Sequence, residues 1–95
     1  MRVKRMLSEQ DSAKILECAK TYGATGVWLF GSSLDPTRTP NDIDLGVEGM
    51  DPKRCFSFGR DLYFSLSKPV DVVDLDEKPP LEEIIRQTGR KIYAA

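Results

Sequence analysis

The residues of this sequence best suited to chemistry are aspartates and a Gly-Ser pair. In "LFGSSLDPTRTPNDIDLGVEG" (Leu29 to Gly49), Gly31-Ser32 closes an apolar run, nine residues intervene, and Asp42 and Asp44 follow two apart. The segment alternates, so Ile43, Leu45 and Val47 face one side of a strand while Asp42, Asp44, Gly46 and Glu48 face the other. Both aspartates then point the same way, roughly 6–7 Å apart at the backbone. Carboxylates this close repel, and each makes ionisation of the other more costly. A divalent cation between them relieves the conflict, and oxygen-only ligands suit Mg2+ or Mn2+ better than a soft metal.

A third carboxylate, Asp71, lies among valines in "VDVV", at an otherwise apolar strand centre. If that strand neighbours "DIDLGV", Asp71 comes level with the other two. Asp74, three further on, points to the opposite face and reads as a strand-end carboxylate or a helix cap. Three aspartates on adjacent strands can hold two metal ions about 4 Å apart, which orients a nucleoside triphosphate and activates a nucleophile for in-line displacement. A strand-to-helix turn at Gly31-Ser32 would present backbone amides and the Ser32 hydroxyl to phosphate oxygens, and Gly31 allows close approach. Each feature alone has a blander reading. Asp-x-Asp is usually a polar strand face, and Gly-Ser after a strand is usually a turn. An EF-hand loop fits poorly, because the glycine and the distal glutamate are misplaced. The order and spacing of the whole set carry the functional reading.

Composition narrows the chemistry further. Ninety-five residues make one domain, 1–95, near the small end of what folds alone. With 15 acidic and 14 basic side chains there is no Lys/Arg excess of the kind a nucleic-acid groove shows. The absence of histidine removes Ser-His-Asp and Cys-His hydrolase chemistry. Two cysteines, Cys18 and Cys55, cannot fill a structural zinc site, and both fall on apolar helical stripes as buried thiols. "MRVKRML" is followed by "SEQDSAK" rather than an apolar run, so a secretory leader and a membrane span are not expected and the cytoplasm is the default compartment.

The elements that must position these residues form an α/β domain. Ser8 and Asp11 have capping-box spacing before a helix whose apolar positions run from Ala13 to Tyr22, stopped by Gly23. Gly26 to Phe30 reads as a strand buried on both faces. Asp51 and Pro52 start a second helix with Cys55, Phe58, Gly59, Leu62 and Leu66 on one stripe and Phe56 and Tyr63 beside it. "PVDVVDL" is a strand, "EKPPLEEIIRQTG" a third helix entered through its prolines and ended by Gly89, and "KIYAA" a tail or short edge strand. The second helix can bridge two parallel strands as a crossover, giving a small mixed β-sheet with helices packed on it. Such a small domain exposes its sheet edge and its active-site face, which calls for a homodimer or a heterologous partner.

Gly31-Ser32, Asp42-x-Asp44 and Asp71 resemble the nucleotidyltransferase superfamily that includes DNA polymerase beta, and the whole chain is similar to its smallest members, the minimal nucleotidyltransferase (MNT) proteins. The resemblance covers Gly26 to about Tyr93. It implies a nucleotidyltransferase fold in which Asp42 and Asp44 bind both of two Mg2+ ions and Asp71 binds the catalytic one and helps deprotonate the attacking hydroxyl. Gly31 and Ser32 would hold the triphosphate of ATP or another nucleoside triphosphate. It further implies a helical HEPN protein as partner in a toxin–antitoxin pair, with AMP moved from ATP to a hydroxyl of that partner. Many MNT antitoxins carry Arg-Ala after Gly-Ser; here Ser33-Leu34 stand there, and Arg38 is the nearby arginine. The competing reading is a non-catalytic module that neutralises a partner by contact, with Phe56, Tyr63 and Phe64 as its face, although such aromatics are more often core. An inactive nucleotide sensor is disfavoured by the intact set of aspartates.

Overall fold

The structure, a computed structural model, describes residues 7–31 and 42–95. Helix α1 (Glu9–Tyr22) starts where the Ser8 side chain accepts a hydrogen bond from the Asp11 amide at 3.0 Å, and ends at Gly23 with φ 77°. The capping box is only half made. The Asp11 carboxylate is buried and turns away from the helix start to accept the Ser67 amide at 3.0 Å and the Ser67 hydroxyl, tying α1 to the segment that leads into β3.

Strands β1 (Gly26–Phe30) and β2 (Ile43–Glu48) pair antiparallel. Helix α2 (Pro52–Ser65), capped by Asp51 on the Arg54 amide, then crosses to β3 (Val70–Asp74), which runs parallel to β2. A helix is the ordinary way to join parallel neighbours. A 3-10 turn (Leu75–Glu77) and helix α3 (Glu82–Thr88) follow, and β4 (Arg90–Ala94) returns antiparallel to β1, giving the order β3-β2-β1-β4.

The core lies between the sheet and the α1–α2 layer: Val27, Leu29, Ile43, Leu45 and Val47 meet Ile15, Ala19, Phe58 and Leu62. Leu75 and Ile85 cover the opposite face at Gly46, where a Cβ would stand 3.3 Å from both. α3 can therefore lie close on the sheet because position 46 has no side chain.

Two expectations are borne out and two change. As expected, the third helix is entered after Pro79 and Pro80 and ends at Gly89, and a separate 3-10 turn precedes the prolines. Of the two readings of the C-terminal segment, the edge strand holds, over five residues. Asp42 immediately precedes β2 instead of lying within it. Phe56, Tyr63 and Phe64 are not core but 73%, 60% and 79% exposed. The cysteines are buried free thiols, as expected, and among the described residues no helix is long and apolar enough to cross a membrane.

Candidate active site

The alternation of β2 sends Asp44 to the face away from the α1–α2 core, and two registers fix its neighbours. Phe30 lies opposite Asp44 on the β1 side, so the chain leaves β1 at Gly31 beside the Asp44 side chain. On the other side Asp44 is in register with Asp71. Residues in register on adjacent strands share a face with backbones about 5 Å apart. The Ile43 amide donates to the Pro69 carbonyl at 2.8 Å, locking the starts of β2 and β3 together, and Asp42 sits at that same end.

The electrostatics follow. Asp44 is half-buried, and burial pushes its carboxyl above the usual range, with Asp71 and then Asp42 adding like-charge repulsion. Gly31 has φ 72°, a left-handed conformation that suits glycine. A Cβ there would stand 2.6 Å from Asp44 Oδ2, so the carboxylate fills the space that a side chain at position 31 would occupy. Gly31, Asp44 and Asp71 thus form one cluster at one end of the sheet, with Asp42 within electrostatic reach. Ser32 and Arg38 lie outside the described residues. Asp74 points away, as expected, and caps the 3-10 turn by accepting the Asp76 amide at 3.0 Å.

The donor set, three carboxylates of which Asp44 is raised by burial and then by Asp71 and Asp42, is of the hard-oxygen type that divalent cations take. Among the described residues, though, no three such side chains yet converge as a metal-holding group. The backbone registers align Asp44 and Asp71.

A second charged cluster on this face escaped the sequence reading. Glu48 Oε1 pairs with Arg86 Nη1 at 3.0 Å and Oε2 with Lys91 Nζ at 3.4 Å, while both cations lie within 6 Å of the Trp28 ring, at 5.9 and 5.6 Å. Burial pushes Glu48 up, but these two partners outweigh it and hold the carboxyl below its ordinary value. The cluster sits at the far end of β2 from Asp42 and fastens α3 and β4 onto the sheet. Only the alternation of β2 hinted at Glu48; its cations come from distant elements.

A small mixed sheet with helices on both faces, carrying a glycine turn and aspartates on two parallel strands, defines a nucleotidyltransferase fold. The chain matches the family described as Polymerase beta, Nucleotidyltransferase over residues 13–95, and it belongs to that family. No curated protein matches it. Among solved structures, a chain of a toxin–antitoxin complex with AMP-PNP aligns with TM-score 0.72 at 23% identity, covering 88% of this chain and 73% of that one. A chain from the complex of the tri-AMPylated HEPN toxin of Shewanella oneidensis with its MNT antitoxin aligns with TM-score 0.69 at 21% identity, covering 90% and 71%. A chain of the toxin–antitoxin complex MntA–HepT gives 0.69 at 19%, covering 93% and 74%. These likenesses establish the shared fold.

Proposed function

We propose that this protein is a metal-dependent nucleotidyltransferase that moves AMP from ATP to a hydroxyl of a partner protein, as the antitoxin of a toxin–antitoxin pair. The observation that carries the reading is the register of Asp44 with Asp71, with the Asp44 carboxyl raised by burial and by both other aspartates. Carboxylates crowded at this cost to the fold are expected where a cation is to be bound. The structural neighbours, one a toxin–antitoxin complex with AMP-PNP and one an AMPylated HEPN toxin with an MNT antitoxin, support the donor and the class of acceptor.

In this reading Asp42, Asp44 and Asp71 would hold two Mg2+ ions, which would supply charge neutralisation for the triphosphate and a more acidic acceptor hydroxyl. The Gly31 turn and the Ser32 hydroxyl cradle the phosphates, and Gly31 leaves the Asp44 carboxylate its place beside them. Asp71 accepts the proton of the acceptor hydroxyl. The hydroxyl oxygen bonds to the α-phosphorus, and the bond to the β-phosphate bridging oxygen breaks, releasing pyrophosphate. The near balance of charge in the chain fits a protein acceptor better than a nucleic acid.

The test is incubation with Mg2+, a host lysate and ATP labelled at the α-phosphate, with γ-labelled ATP for comparison. Transfer from the α position only, lost in Asp42→Ala/Asp44→Ala, supports the reading and delivers the acceptor as a labelled band. No transfer, with a protein captured equally by wild type and mutant, refutes catalysis in favour of neutralisation by contact.

A further inference from the structure

The outer side of β3 and the flank of α2 form an open groove of about 560 Å³, and Pro52, Phe56, Gly59, Tyr63, Val70 and Val72 give it an apolar lining. β3 is the edge strand, so one side of its backbone has no strand partner among the described elements. Unpaired edges are templates for another strand. α2 runs antiparallel to β3, with Gly59 packed on Val72 at their common midpoint, where a Cβ at position 59 would stand 3.5 Å from Val72 Cγ2. Phe56 and Tyr63 flank that midpoint and are 73% and 60% exposed, unusual for two aromatics one heptad apart on one helix.

We propose that this face binds a second copy of the same chain, β3 against β3 in antiparallel register about a two-fold axis at Val72. The argument is self-complementarity, which a two-fold interface requires. Centring on Val72 sets Val70 opposite the partner's Asp74 and Asp71 opposite the partner's Val73, so no two carboxylates oppose each other. The same operation brings the two α2 helices side by side on one face of the sheet, with Phe56 against the partner's Tyr63 and the small Gly59 where the helices approach. Arg60 then reaches toward the acidic end of the partner's groove, where Asp74 and Glu77 line it. The groove thus carries its cation on the α2 wall and its anions on the β3 side, and each wall meets the other across the axis. The result is a continuous eight-stranded sheet in which each Asp71 lies on a strand that joins the two copies. This assembly does not depend on the catalytic reading.

Sedimentation equilibrium of the purified protein tests it, with hydrogen exchange of β3 as a second readout. The expected result is a dimer at protein concentrations of about 10–100 µM, with slowed exchange of the outward-facing β3 amides. Phe56→Glu and Arg60→Glu should each give monomers with the circular dichroism of wild type, because both side chains are exposed, and with melting that no longer depends on protein concentration. A monomeric wild type, including one that captures a different protein on this face, overturns the proposal. A dimer that survives both substitutions, or one with β3 amides as open as in the variants, also overturns it.

Discussion

Gly31→Ala separates the demands of the fold from those of the site. The backbone at position 31 has φ 72°, so alanine costs about 1–2 kcal/mol there. In a domain of this size that lowers the melting temperature by roughly 5–15 °C. The new Cβ would stand 2.6 Å from Asp44 Oδ2 where ordinary contact begins at 3.4 Å, so the carboxylate must move by roughly 1 Å. Moving the end of a side chain adds little to the stability cost. A misplacement of that size at reacting groups costs about 100-fold in rate. The assay is label transfer from α-labelled ATP, read beside a thermal melt. Gly49→Ala is the control: its φ is 83° and its Cβ would collide with Thr25, so it carries the backbone cost away from the aspartates. The expected outcome is two destabilised variants, of which only Gly31→Ala loses transfer. Equal activity in the two variants would show that the contact between Gly31 and Asp44 does not set the site.

Asp44→Asn should abolish transfer yet stabilise the metal-free protein by about 1 kcal/mol or less at neutral pH, after solvent screening. Because the folded-state value of Asp44 is raised, its charge weakens the fold above that value, and the gain over wild type should shrink as pH falls to the ordinary carboxylate range; urea melts at several pH values measure it. Arg86→Met should cost about 1 kcal/mol at neutral pH, limited because Arg86 is 36% exposed. Glu48 is depressed, so its contribution is present above the ordinary glutamate value and is lost as pH falls through the folded value; denaturation of this variant should vary less with acid than that of wild type. Asp11→Ala removes the acceptor of the Ser67 amide and hydroxyl and should cost about 2 kcal/mol by chemical denaturation. Burial, with Asp74 and Asp76, pushes the Cys55 thiol up to about 11, so it should resist iodoacetamide in the folded protein and react on unfolding, as read by mass spectrometry.

Much of the architecture was legible because local rules and tertiary packing agree. Ser8, Asp51 and Pro52 mark helix starts by capping chemistry, Gly23 marks a stop, and the alternation of Ile43, Leu45 and Val47 named the core face of β2 before any contact was known. Pro79 and Pro80 mark the entry to the third helix, because proline is tolerated ahead of a helix and not inside it. For Phe56, Tyr63 and Phe64 the commoner reading, core, does not hold. Residue type states a preference for burial, whereas whether a helix face meets the sheet depends on how the helix rotates to seat Phe58 and Leu62.

By itself, the sequence determined the chemical inventory: a glycine turn, carboxylates at a spacing of two, a carboxylate inside a valine run, and no histidine to offer another chemistry. Period-two geometry was enough to put Asp44 and Glu48 on the face opposite Ile43, Leu45 and Val47, because alternation is a property of a single strand. Bringing Asp71 level with Asp44 is not such a property. It depends on which strands are neighbours and on a parallel register set by the length of α2 and the Ile43–Pro69 hydrogen bond. The same holds for Glu48 with Arg86 and Lys91, which meet only because α3 and β4 close over one face of the sheet. Pairing between elements distant in the chain is fixed by the cooperative burial of the whole core, and no local pattern records it.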